Sequence, residues 1–255
     1  MASANLVGLS RQMALQREME VIANNIANID TNGFKADFSL FEEYVMPGGR
    51  GGSRVANTPI SFVHDRGTLI DLNQGPLQRT GSPLDVAING DGFFVVNTPQ
   101  GERYTRNGAL EINAQGELVT SEGYQILGDG GPITFQNQDT GITINREGTV
   151  SVKDPSNSSV AIVRGQLRVV SFARAQRLQK QGDSTFSAPA DMPASPSTKS
   201  IVVQGALEKS NVRPIIEMSR MIEVSRNYTM IANLLQSQGD LHKSSIQQLS
   251  DVPTS

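Results

Sequence analysis

The residues able to do chemistry are few and scattered. The chain has no cysteine and two histidines, His64 and His242. No HExxH or comparable spacing joins the histidines, so each reads as a solvated side chain and no metal site is expected. Asp85, Asp91 and Asp129 fall among short strands and turns. Glycoside hydrolysis needs two carboxylates across a cleft, and a wall-degrading enzyme would have to draw them from these three. A carboxylate in such a context more commonly binds turn amides. Thr80-Gly81-Ser82-Pro83 lacks the GxSxG of a nucleophile elbow. The stretch PGGRGGS at Pro47 to Ser53 has neither the strand before it nor the helix after it that a phosphate loop requires, and reads as a flexible connection. No catalytic residue, no cofactor and no small-molecule substrate are expected.

Composition removes further classes. Net charge is −3 with a pI near 5.5, and no run of Lys or Arg provides a nucleic-acid footprint. Aromatic residues make up 5 % and tryptophan is absent, so a sugar-stacking cleft is poorly supplied. Without cysteine there are no disulfides and no thiolate sites, which leaves the compartment open. Met1 to Asn5 carries no positive charge, and Arg11, Gln12, Arg17 and Glu18 break up the apolar residues after it, so a cleaved secretory signal is not expected. Nor is a membrane-spanning helix, which needs about 18 apolar residues in a row. Export, if it occurs, would use a route that reads an uncleaved N-terminus.

The elements that would position any site lie at the two ends. Asn5 to Ile29 and Val212 to Leu249 both read as long amphipathic helices. In the first, Leu15, Met19, Ile22, Ile26 and Ile29 recur at steps of three and four, while Leu6, Leu9 and Met13 point nearly the opposite way. In the second, Met221, Val224, Tyr228, Ile231 and Leu235 form one stripe, and Ile215, Met218 and Ile222 form another apolar edge. Each helix thus has more apolar face than one partner covers. The two can pair with each other, and the remaining stripes meet either the chain's own β region or the same helices on neighbouring subunits. A helix of about 30 residues is roughly 45 Å long, enough to knit several neighbours. The residues expected at subunit contacts are Leu15, Met19, Ile22, Asn25, Ile26 and Ile29, with Met218, Met221, Ile222, Val224, Tyr228, Ile231 and Leu235. Asn25 joins them because Asn24, Asn25 and Asn28 put amides along the helix that can hydrogen-bond between packed helices.

Between the ends the pattern is β. The first helix is expected to stop between Asp30 and Gly33, where glycine suits a left-handed cap. Phe34, Phe38, Leu40, Phe41 and Tyr44 give an aromatic cluster after it. From Gly75 on, glycines recur every seven to eleven residues, the spacing of short strands joined by tight turns. Strands are expected at Phe93 to Val96, Leu118-Val119, Ile126-Leu127, Ile133 to Phe135 and Ile142 to Ile144, with hairpin turns at Asn113 to Gly116 and Asp129 to Gly131. A strand pair is expected across Val160 to Phe172, an extended loop at Gly182 to Ser200, and a last strand at Ile201 to Leu207. Ser210 or Asn211 then caps the second helix, Pro214 sits in its first turn, and Gly239-Asp240 bends or interrupts it. The expected class is α+β: long terminal helices in a coiled-coil pairing, and a central antiparallel β domain. The divisions are residues 1–33 for the N-terminal helix, 34–74 for an extended linker region, 75–207 for the β domain and 208–255 for the C-terminal helix.

Four segments carry a resemblance. ANNIANIDTNGFK at Ala23 to Lys35 resembles the N-terminal signature of bacterial flagellar rod and hook proteins. TGSPLDVAINGDGFFVV at Thr80 to Val96, YTRNGALEINAQGELVTSEGYQILG at Tyr104 to Gly128, and QGALEKSNVRPIIEMSRMIEVSRNYTMIANLLQ at Gln204 to Gln236 are similar to segments of the same family, in the same order. Length and GQLRVVSF at Gly165 to Phe172 look most like the proximal rod proteins, with the distal rod proteins the close alternative. The resemblance implies a structural subunit of the basal-body rod with no active site, helices packed around a central channel and the β domain outward. It implies as partners copies of itself, other rod subunits and the flagellar export apparatus, and as location the rod within the periplasmic space. A host-binding adhesin with helical arms is the reading from a third class.

Overall fold

The computed structural model describes residues 2–46, 60–154 and 160–250, which fall into two compact units. The first is drawn from residues 1–27, 37–69 and 213–255. Its helices, α1 (Ala2–Ala27) and α2 (Pro214–Ser250), pack against each other. Leu15 and Ile22 of α1 bury against Val224 of α2, and Met19, Ile26, Met221, Tyr228 and Ile231 close around them. The stripes read from the sequence are therefore the ones that meet. Near the start of α1 the Leu235 side chain packs onto the backbone of Gly8, where an added Cβ would lie 2.7 Å from Leu235 Cδ2.

The ends of the helices differ from expectation in instructive ways. α1 stops at Ala27, before the predicted boundary, and Gly33, with φ +69°, lies beyond the helix rather than at its cap. α2 begins on Pro214, whose missing N–H costs nothing there, and Ile216 and Glu217 donate to the Arg213 carbonyl at 3.1 and 3.0 Å. Neither Ser210 nor Asn211 caps it. The Ser210 hydroxyl accepts from the Val212 N–H, and Asn211 bonds to the backbone of Ala36, Asp71 and Asn73. The expected interruption at Gly239 is absent: α2 is unbroken to Ser250. One glycine costs about 1 kcal/mol relative to alanine, too little to end a long helix.

Residues 34–74, expected as an extended connection, contain the strands Asp37–Met46 and Ile60–Ile70, paired in a two-stranded sheet. Phe38 and Leu40 alternate with Ser39 at the period of a strand, a pattern the aromatic clustering hid. The glycine-rich Pro47 to Ser53 lies outside the described residues.

The second unit, residues 28–36 and 70–212, is antiparallel β. Among the described residues its largest sheet runs in the order Gln179–Lys180, Thr185–Ser187, Gly101–Thr105, Phe93–Thr98, Gln125–Gly128, Leu118–Thr120 and Leu110–Ile112. The run FFVV makes Phe93–Thr98 its central strand, apolar on both faces. Phe94 and Val96 enter one core with Val86, Ile88, Leu118 and Ile126, while Phe93 and Val95 enter a second with Tyr104, Val170 and Phe186. A three-stranded sheet joins Thr140–Ile144, Thr149–Lys153 and Ala161–Gln166. Ile201–Gln204 pairs with Val86–Asn89, and Ala206–Glu208 with Leu77–Arg79.

Most expected strands are present, and the hairpin turns fall where expected, at Asn113 to Gly116 and Asp129 to Gly131. Ile133 to Phe135 forms no strand and contributes an isolated bridge from Thr134 to Glu117. Val160 to Phe172 holds two strands that do not pair with each other: Ala161–Gln166 passes through Gly165 and pairs with Thr149–Lys153, while Val169–Ser171 joins Phe93–Thr98. Gly182 to Ser200 contains the short strands Thr185–Ser187 and Ser195–Pro196.

Candidate assembly surfaces and the buried charge cluster

The thirteen positions expected at subunit contacts divide into three groups. Leu15, Met19, Ile22, Ile26, Met221, Val224, Tyr228 and Ile231 are occupied within the chain, in the core between α1 and α2, and Leu235 packs against Gly8. Asn25 is also internal. Its Oδ1 accepts the Asp37 N–H at 2.9 Å, and its Nδ2 donates to the Asp37 carbonyl at 2.8 Å and reaches Glu217 Oε2 at 3.5 Å. Ile29 packs in the β unit with Phe34, Ala36 and Val212. Only Met218 and Ile222 remain open, both 55 % exposed.

Those two extend into a larger surface. On α2, Ile215, Ile216, Met230, Leu234 and Leu241 are exposed, as are Leu6, Leu9 and Met13 on α1. Ile215 is 81 % exposed. Scattered single apolar residues would need no explanation, but Ile215, Met218 and Ile222, at steps of three and four, fall on one side of α2, the pattern of an interaction surface. A Glu18–Arg220 ion pair at 3.2 Å links the two helices beside the core.

Sequence reading missed the principal polar feature. In the β unit, Lys35, Glu208 and Arg106 form a buried cluster, with side chains 0 %, 0 % and 3 % exposed. Lys35 Nζ donates to Glu208 Oε1 at 2.5 Å and to the Asn73 carbonyl at 2.8 Å. Arg106 Nη1 donates to Glu208 Oε2 at 3.1 Å and its Nη2 to the Gly90 carbonyl at 2.9 Å. Glu208 Oε1 also accepts the Gly75 N–H at 3.0 Å, and its backbone carbonyl accepts the Gly33 N–H at 2.7 Å. Burial pushes the Lys35 ammonium below the ordinary lysine range, while the Glu208 charge and hydrogen bond pull it back up. Removing one member of such a cluster strands the others without water. Gly33 is required here: its φ is +69°, and a Cβ would lie 2.4 Å from the Arg106 carbonyl carbon.

The family model described as "Flagella basal body rod protein" matches residues 6–35. "Flagellar hook protein FlgE/F/G D1 domain" matches residues 87–152, and "Flagellar basal body rod FlgEFG protein C-terminal" matches residues 203–249. The chain is 37 % identical to the flagellar basal-body rod protein FlgF of Caulobacter vibrioides, over 99 % of this chain and 100 % of that one. The chain belongs to the flagellar basal-body rod protein family. It is also 32 % identical to FlgF of Mesorhizobium japonicum, over 95 % and 96 % of the two chains, and 32 % identical to FlgG of Buchnera aphidicola from Baizongia pistaciae, over 87 % and 90 %. As a rod protein it is most like FlgF, and it is a structural subunit, not an enzyme.

Each matched segment of this rod protein supplies one member of the buried cluster: Lys35 ends the first, Arg106 lies in the second and Glu208 in the third. The cluster is where the signature stretches of the sequence meet in space. The residues weighed for catalysis have other places. His64 lies on the strand Ile60–Ile70, not in a loop, and His242 lies on α2. Asp85 and Asp129 engage through their backbones, to Ser82, Gly205 and Gln166. Among the described residues no group of three His, Cys, Asp or Glu is placed to hold a metal, and no helix is long and apolar enough to cross a membrane.

Proposed function

We propose that this rod protein belongs to the proximal segment of the rod, where it joins copies of itself and other rod subunits through coiled-coil contacts of α1 and α2. The carrying observation is the apolar edge that remains when the two helices have covered each other: Leu6, Leu9 and Met13 on α1, and Ile215, Met218 and Ile222 on α2. Head-to-tail burial of such edges builds a helical shaft, and interlocked helices pass torque from one subunit to the next. The proximal assignment leans on FlgF of Caulobacter vibrioides, 37 % identical over 99 % of this chain and 100 % of that one, against 32 % over 87 % and 90 % for FlgG of Buchnera aphidicola from Baizongia pistaciae. The periplasmic position of the shaft and delivery by the flagellar export apparatus complete the proposal; helices that are marginal until they find partners suit a chain passed along unfolded. The shaft-forming parts in this reading are α1 and α2.

Met218→Asp with Ile222→Asp tests the reading. Both side chains are exposed in the single chain, so its folding is preserved, whereas assembly would bury two charges without partners. The expected outcome is loss of incorporation into basal bodies and of motility, with unchanged circular dichroism and thermal unfolding of the purified protein. Normal motility overturns the reading.

A further inference from the structure

Asparagine is followed by glycine at Asn32-Gly33, Asn89-Gly90 and Asn107-Gly108, and each pair adjoins the buried charge cluster. The Gly33 N–H donates to the Glu208 carbonyl, the Gly90 carbonyl accepts from Arg106, and Asn107 follows Arg106 in the chain. This dipeptide carries its own chemistry. With no Cβ to shield it, a glycine nitrogen can reach the side-chain carbonyl carbon of the asparagine before it. The nitrogen must first give up its proton to solvent base, so a buried or firmly bonded N–H blocks the reaction.

The fold treats the three pairs differently. Gly33 is buried, with its N–H donated to the Glu208 carbonyl at 2.7 Å, and Asn32 Oδ1 accepts from Lys209 Nζ at 3.0 Å. Asn107 and Gly108 are both buried, and the Ala109 N–H holds Asn107 Oδ1 at 3.1 Å. Asn89 stands exposed at the end of the strand Val86–Asn89. The Gly90 N–H donates to a side chain, Gln74 Oε1, at 3.2 Å. Gln74 Nε2 donates in turn to the Ile88 carbonyl at 3.0 Å, so one exposed amide clamps the backbone on both sides of Asn89. A backbone bond inside the fold opens only with local unfolding, whereas an exposed side chain changes rotamer in picoseconds to nanoseconds.

We infer that Asn89 is the position at which the folded chain loses a side-chain amide, and that Gln74 sets the rate. The Gly90 nitrogen, its proton passed to solvent base, bonds to Asn89 Cγ; the Cγ–Nδ2 bond breaks and ammonia leaves. Water then opens the cyclic imide at either carbonyl, giving aspartate or isoaspartate. Water is the sole co-reactant, and nothing is oxidised or reduced. Isoaspartate adds a methylene to the main chain directly before Gly90, whose carbonyl accepts Arg106 Nη2 at 2.9 Å, so the modification loosens the buried cluster at its rim.

The test holds the purified full chain at mildly alkaline pH, folded and in parallel unfolded in urea, and compares peptides by mass and by isoaspartyl methyltransferase labelling. Acid and isoaspartate are expected at all three pairs in urea but at Asn89 alone in the folded chain, whose midpoint of chemical denaturation falls as they accumulate. Gln74→Ala is expected to speed conversion at Asn89 several-fold and to leave Asn32 and Asn107 intact. Asn89→Ser, which has no side-chain amide, removes both the signal and the drift in stability. Folded protein that keeps the Asn89 amide while the urea sample loses it, or that converts Asn32 or Asn107 as fast as Asn89, overturns the inference. So does a Gln74→Ala variant with native circular dichroism that converts at the wild-type rate.

Discussion

The two units of this chain solve opposite problems. The β unit closes on itself: Val86, Ile88, Phe94, Val95, Val96 and Ile126 are fully buried, and even its buried charges find partners inside. The helical unit does not. Its core is Leu15, Ile22, Val224 and the half-buried residues around them, and beside that core Ile215, Met218, Ile222, Met230, Leu234 and Leu241 face water. A unit with its own core can fold before it finds neighbours, while one that leaves half its apolar side chains exposed reaches full stability only with them.

That contrast can be broken or sharpened by substitution. The largest effect is expected from Ile22→Ala, which opens a cavity in the small core between α1 and α2. A loss of about 4 kcal/mol is enough to release the helices, seen as reduced helical circular dichroism while β-unit amide protection persists. Ile22→Asp would do the same by burying a charge, so loss of assembly in that variant would report on the chain's own helix pair rather than on contacts between subunits. Glu208→Ala comes next. It leaves Lys35 and Arg106 buried without their shared anion, and is expected to cost the β unit about 3 kcal/mol in chemical denaturation, with the helix pair unaffected.

Gly33→Ala is smaller. It forces a left-handed residue against the Arg106 backbone, and a loss of more than about 1 kcal/mol is expected in the same denaturation experiment. The smallest effect concerns pH. Burial raises the Asp139 carboxyl, but the Arg164 hydrogen bond, the Gln136 backbone N–H and the Arg164 charge outweigh it and hold it below the usual carboxylate range. A depressed acid stabilises the fold above its unfolded pKa, about 3.9, and that contribution is lost as pH falls through the lower folded value. Amide exchange around Thr140–Ile144 is expected to speed up over that acid window in the wild type, and to lose the dependence in Asp139→Asn.

The sequence is most legible where periodicity speaks alone. Spacing pairs Leu15, Met19, Ile22 and Ile26 with Met221, Val224, Tyr228 and Ile231, because a helix repeats every 3.6 residues whatever it packs against. Spacing does not say which stripe serves the chain itself, since Met218 and Val224 are both apolar and only their partners differ. Strands of two or three residues, such as Thr185–Ser187, are too short for a period to register. The amide of Asn25 stands out in the sequence, but its partner, the Asp37 backbone, belongs to a strand that the aromatic cluster conceals. Lys35, Arg106 and Glu208 stand inside the signature segments as ordinary charges. Their meeting is a matter of tertiary pairing, and the available hint is a charged residue within three positions of a glycine in each of three signature stretches.

Hydrogen exchange compared between the purified monomer and intact basal bodies tests the central claim most directly. The account predicts that amides of α1 and α2 become strongly protected on assembly while those of Val86–Asn89, Phe93–Thr98 and Gln125–Gly128 exchange equally in both states. Helices already as protected in the monomer as the β strands, with no change on assembly, would contradict it.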